Sequence, residues 1–132
     1  VIFTNHDARQ LQFSMKFDVV LCKNFLHHMK HEEEMLTLIN SLRDIGKKII
    51  FFEIEDPFRT GILARLWNLY YKLFLGDIGD CFLNQYSFKK LIRDNLPDCR
   101  IKFDNIRTIK GKYLMGVAEY EDSCSDRIAH IR

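Results

Sequence analysis

Two short apolar runs constrain this chain more than any other feature. Residues 17–22 (FDVVLC) and 47–54 (KKIIFFEI) are apolar and rich in Val, Ile and Phe at consecutive positions, the pattern of strands buried on both faces. Between them, residues 31–45 place Met35, Leu38, Ile39 and Leu42 on one helical stripe. Glu32, Glu33 and Glu34 fall in the first turn, where they complement the helix dipole, and Gly46 fits the position just past the end. Strand, helix and strand in that order predict a parallel sheet with a right-handed crossover.

The rest of the chain extends this unit. Pro57 and Gly61 mark a turn, and residues 62–75 are helical in pattern but apolar nearly all round, with Gly76 able to stop them. Residues 77–85, with two glycines, read as a loop. Ser87 is expected to cap a short helix in which Phe88, Leu91 and Ile92 face inward, and Pro97 ends it. Residues 101–109 and 112–120 read as two strands joined through Lys110-Gly111, hence as an antiparallel hairpin. Residues 1–4 read as the end of an earlier strand, and the segment after Glu121 as a polar tail. The expected class is α/β: a mostly parallel sheet, an antiparallel terminal strand near its edge, and helices on both faces.

Composition narrows the function classes. The 132 residues suit one domain, and 47% hydrophobic residues suffice for a core. A formal net charge of +2 argues against a strongly basic nucleic-acid binder. Four cysteines (Cys22, Cys81, Cys99, Cys124) lie scattered without C-x-x-C spacing, which suits reduced thiols and a cytoplasmic protein. The run at 62–75 is interrupted by Arg65, Asn68 and Lys72 and is shorter than the roughly 20 residues of a membrane span. The chain opens with Val1 inside an apolar run, so a piece of a longer chain is expected.

In open parallel sheets ligands bind at the carboxyl ends of the strands. Those ends carry Asp7 and Ala8, then Lys23, Asn24, His27 and His28, then Glu55 and Asp56. His27 and His28 are adjacent, so on a helix they point about 100° apart and one at most faces a pocket. His27 and His31 have i, i+4 spacing, but the glutamate of H-E-x-x-H is missing and no metal site is expected. Glu55 and Asp56 suit either a substrate polar group or the cap of the turn at Pro57. Helix 62–75, with Trp67 and Tyr70, suits a lid over an apolar or aromatic acceptor or an interface with a second copy. Tyr86 would lie beside that lid.

These residues carry a family pattern. Phe17-Asp18-Val19-Val20 followed by Leu26-His27-His28-Met29 resembles the fourth-strand motif of class I S-adenosylmethionine-dependent methyltransferases. Asp7-Ala8, ten residues before Phe17, resembles the Asp-Ala element at the end of the third strand, and Gly46-Lys47-Lys48-Ile49-Ile50 resembles the entry to the fifth. The hairpin is similar to the sixth and seventh strands, the last of which is antiparallel in this family. The resemblance implies a partial Rossmann-like fold, with residues 1–121 as the C-terminal portion of such a domain, and S-adenosylmethionine as cofactor. It implies that Asp7 accepts from the adenine amino group and that Ala8 lies beside the adenine ring. Cys22, Lys23 and Asn24 would pass the methionine portion, and His27 or His28 would serve as base for a small-molecule acceptor. The family's glycine-rich loop and ribose-binding acid have no counterpart in these residues, so the chain alone is expected to be inactive. Two other readings compete. One is a non-catalytic interaction domain, and the other is a nicotinamide-dependent oxidoreductase, for which no G-x-G-x-x-G is present.

Overall fold

A computed structural model describes residues 5–76, 79 and 81–120. The expected strand at 1–4, the polar tail at 122–132 and part of the 77–85 loop lie outside the described residues.

The apolar runs form strands as their composition requires. β1 (Val20–Lys23) lies parallel to β2 (Lys48–Ile54), and α1 (Glu32–Ile45) makes the crossover between them. β1 is shorter than the run at 17–22, because Phe17 makes only an isolated bridge with Gly46 and Val19 stays 53% exposed. The C-terminal hairpin adds β3 (Cys99–Thr108) and β4 (Gly111–Tyr120), giving the order β1-β2-β4-β3. β4 is antiparallel to both its neighbours, so β1, β2 and β3 share one direction.

The α/β class and the single reversed strand thus stand, but the reversed strand is internal and β3 forms the edge. Burial explains the order. Leu114, Gly116 and Ala118 of β4 are buried at alternate positions, whereas β3 is exposed over most of its length. The hairpin turn is Ile109-Lys110, not Lys110-Gly111, because Gly111 already pairs with Thr108.

One face of the sheet carries the core. Leu38, Ile39 and Leu42 of α1 join Phe88 and Ile92 of α4 (Gln85–Asn95) on Ile49, Phe51, Leu114 and Ala118. Full burial of such a side chain stabilises by about 1.5–3 kcal/mol. The helix cap differs from expectation. Asn84 Oδ1 accepts from the Ser87 backbone N–H at 2.9 Å, so Asn84 is the cap and Ser87 sits in the first turn.

On the opposite face, Leu21, Ile50 and Val117 follow one another across the strands, as do Phe52 and Met115, and they are half-buried or exposed. α2 (Pro57–Thr60) is capped by Asp56, which accepts from the Phe58 N–H at 2.9 Å. α3 (Ile62–Tyr70) follows after Gly61 and continues as a π-helical turn, Tyr71–Leu75, ended by Gly76 in the left-handed conformation. Trp67 and Tyr71 reach Ile54 and Tyr113 at the end of this second face. The rest of α3 is not enclosed: Ala64 is its one buried residue.

Candidate functional site

The sheet brings its chemistry to the carboxyl ends of β1 and β2. β2 alternates, so Ile49, Phe51 and Glu53 point to the core side. Glu53 is 1% exposed, an unusual place for a carboxylate unless it is fully bonded. Its Oε2 accepts from the backbone N–H of Phe25 at 3.0 Å and of Leu26 at 2.8 Å. Its Oε1 lies 2.5 Å from His27 Nδ1 and 3.0 Å from the Ile54 N–H. One carboxylate therefore holds the whole 3-10 turn Leu26–His28 that follows β1. Glu53 was not among the residues singled out in the sequence. Its signal was one acid in an otherwise apolar strand.

The turn separates the two histidines. His27 is 4% exposed, while His28 is exposed. The His27 carbonyl accepts from the Cys81 N–H at 3.0 Å, which seats Phe82 parallel to the imidazole with ring centroids 5.3 Å apart. Of the two, His27 lines a cavity that His28 does not line. With the proton on Nδ1 and directed at Glu53, the lone pair of the neutral ring is on Nε2.

Beside His27 lies a cavity of about 70 Å³ walled by Asn24, Trp67, Tyr71, Phe82 and Tyr113. That is about half the volume of an engineered cavity that holds benzene, so it suits a reacting head group and not a large molecule. Asn24 has φ 48°, a left-handed conformation uncommon outside glycine, and its N–H continues the sheet by donating to the Phe52 carbonyl at 2.7 Å. Its Oδ1 is buried without a hydrogen-bond partner. A strained residue with an orphaned acceptor beside a cavity suits a ligand-binding position. Lys110 closes one side, its Nζ 5.2 Å from the Trp67 ring centroid.

The other candidates are distributed less compactly. Cys22 is 8% exposed, and burial pushes its thiol up to about 12. Lys23 is exposed. Asp7 caps the 3-10 turn Ala8–Gln10, and both its oxygens accept from the Arg9 guanidinium, at 3.0 and 2.9 Å. That pairing lowers the Asp7 carboxyl to about 2. Glu55 lines a different, larger cleft of about 560 Å³ between α2 and the hairpin. There it is 3.1 Å from Lys112 Nζ and accepts from the Gln85 N–H. Asp56 serves as the cap of α2. Tyr70 is 44% exposed on the outer side of α3, and Tyr86 is 75% exposed on α4. Of the expected acceptor-side residues, Trp67 alone lines the cavity beside His27.

The fold is that of class I S-adenosylmethionine-dependent methyltransferases. Among solved structures it is similar to the magnesium protoporphyrin IX methyltransferase ChlM from Synechocystis PCC 6803 with bound SAH, at TM-score 0.60 and 20% identity over 90% of this chain. It is also similar to the N-methyltransferase NodS from Bradyrhizobium japonicum, solved with S-adenosyl-L-homocysteine, at TM-score 0.55 and 11% identity over 89% of the chain. A putative O-methyltransferase from Nostoc punctiforme aligns at TM-score 0.59 and 17% identity over 87%. This chain spans 51%, 53% and 34% of those three, between about a third and a half of their length. No protein-family model and no curated protein matches the sequence.

Proposed function

We propose that the protein carrying this chain transfers a methyl group from S-adenosylmethionine to an oxygen or nitrogen of a small apolar or aromatic acceptor. The observation that supports this most is the pairing of His27 and Asn24 at the carboxyl ends of parallel strands in a methyltransferase fold, with aromatic walls around them.

The residues present fit the cofactor. Asp7 Oδ1 accepts from both the backbone N–H and Nε of Arg9, but Oδ2 accepts only once, from Arg9, and keeps a lone pair for an adenine amino group, with Ala8 beside the ring. Asn24 offers the unpartnered acceptor at the turn after β1, where Cys22 and Lys23 lead in. When bound, the sulfonium supplies an electrophilic methyl group for in-line displacement.

The work of this chain is then alignment, exclusion of water and acceptance of a proton. Trp67, Tyr71, Phe82 and Tyr113 form the dry walls that orient an aromatic edge. His27 takes the acceptor's proton at Nε2, and Glu53 stabilises the imidazolium through Nδ1. Glu55 and Asp56 are engaged in an ion pair and a cap, and Tyr70 and Tyr86 lie outside the cavity beside His27.

No G-x-G occurs in the 132 residues, so the chain alone is a weak cofactor binder without turnover. The test is calorimetry of S-adenosylmethionine with the protein carrying the chain, as wild type and as Asp7→Ala and His27→Ala. The expected result is binding that Asp7→Ala weakens and His27→Ala leaves within a few-fold, while turnover falls about 10²–10⁴-fold in His27→Ala. No cofactor affinity in the wild-type protein would sink the reading.

A further inference from the structure

We propose that the outer face of α3 docks this protein onto the surface of an anionic lipid bilayer. Ile62, Leu63, Leu66, Leu69, Leu73 and Phe74 are each between 50% and 74% exposed. At about 100° per residue Ile62, Leu63, Leu66 and Leu69 fall on one stripe along α3, and Leu73 and Phe74 lie exposed on the π-helical turn that continues it. Ala64, the buried residue, points the other way, into the body of the protein. The stripe is thus a continuous apolar surface turned fully outward, not a core face seen at its rim. Phe58, 65% exposed, and Ile109 at the hairpin tip, 74% exposed, enlarge the apolar surface around α3. A contiguous apolar patch of this kind marks an interaction surface.

Charge selects the occupant. Residues 57–76 carry Arg59, Arg65 and Lys72 and no acidic residue. By helical spacing Arg65, whose guanidinium donates to the Phe58 carbonyl at 2.7 Å and lies over the Phe58 ring, falls on the same flank of the stripe as Lys72, and long basic side chains beside an inserted apolar face place their charges at the level of lipid headgroups. The hairpin beside α3 adds Arg107. Arg59 is paired with Asp56, but a second copy packed on this stripe would bring Arg65 and Lys72 against their own counterparts with no acid between residues 57 and 76 to match them. An anionic bilayer matches both features at once: the acyl boundary takes the stripe and the headgroups take the cations. No described helix is long and apolar enough to cross a membrane, so the contact lies on the surface. The cavity beside His27 is walled by Trp67 and Tyr71 of this same helical segment, which puts a bilayer-held apolar molecule close to it.

The experiment is flotation of the protein carrying this chain with vesicles of phosphatidylcholine alone and with roughly 30% phosphatidylserine, a level that gives a negative surface potential. The protein should float with the anionic vesicles and about tenfold less with the neutral ones. Each of Arg65→Ala and Lys72→Ala should lower partitioning about fivefold, and salt near 0.5 M should weaken it. Leu66→Glu with Leu73→Glu, both at exposed positions, should abolish it while leaving the far-UV circular dichroism unchanged. No flotation overturns the proposal, as does flotation indifferent to Leu66→Glu and Leu73→Glu. Sedimentation showing a dimer that these two substitutions dissolve, without flotation, overturns it in favour of a second copy of the chain.

Discussion

Glu53 and His27 form a buried pair at the junction of β2 and the turn after β1, with Oε1 2.5 Å from Nδ1 and neither side chain more than 5% exposed. The carboxylate also accepts the backbone N–H groups of Phe25 and Leu26. Removing it leaves several buried donors unsatisfied at once. Glu53→Ala is therefore expected to destabilise by about 3–5 kcal/mol, in the range for breaking a buried pair. Glu53→Gln keeps an acceptor oxygen and the volume, so it should lose less than half of that. Urea unfolding followed by circular dichroism measures both, and equal losses would show that the charge and not the hydrogen bonding matters.

Gly61 links α2 to α3 with φ 120° and ψ 175°, a conformation essentially closed to residues with a side chain. Nothing lies within 4 Å of where its Cβ would sit. The cost of Gly61→Ala is thus backbone strain alone, about 1–3 kcal/mol. Part of it can be relieved by a shift of α3, so the unfolding midpoint should fall less than the strain implies, and hydrogen exchange should quicken in α3 first.

What the sequence disclosed and what it hid follow from range. The β1–α1–β2 unit was legible because consecutive Val, Ile and Phe need burial on both faces, and the helix between them repeats at 3.6. The hairpin was legible as a pair, but not its place inside the sheet, which depends on Leu114 and Ala118 meeting α4. The Glu53–His27 contact spans 26 residues, and a lone acid near a strand end gives no sign of its partner. Asn84 was overlooked as a cap since Ser87 carried the more familiar signal three residues later. For helix 62–75 the apolar excess was plain, but periodicity could not say which side of it faces outward.

Cys22 should be nearly inert as a thiol in the folded protein. Burial is the main cause of its rise from 9.0 to about 12, with the nearby Glu53 charge adding to it. Since the thiolate is the nucleophile, three units mean about a thousandfold less of it below pH 9. Iodoacetamide at pH 8 followed by peptide mass spectrometry should label half-buried Cys81 first, Cys99, whose thiol burial also raises, more slowly, and Cys22 last. Urea should equalise them. Rapid native labelling of Cys22 would mean that the β1 edge opens readily.

Asp7 offers the pH counterpart. Its hydrogen bonds to Arg9, first the side-chain and then the backbone one, lower the folded pKa from 3.8 to about 2. A depressed carboxyl contributes stability above its unfolded pKa and loses it as pH falls through the folded one. The Asp7–Arg9 pair should therefore be intact at pH 4 and break as the pH falls through about 2. The pair is fully exposed, so its contribution to global stability is small and the readout must be local. Carboxyl-carbon NMR of the chain should give a midpoint near 2 in the wild type and a higher one in Arg9→Ala, still below the ordinary value because the backbone N–H of residue 9 remains. The same ionisation bears on the proposed adenine contact. Cofactor affinity should show no loss attributable to Asp7 on lowering the pH from 7 to 4, and Asp7→Asn, which keeps an acceptor oxygen, should bind more tightly than Asp7→Ala. An affinity that drops through pH 5 would assign the adenine amino group to another acceptor.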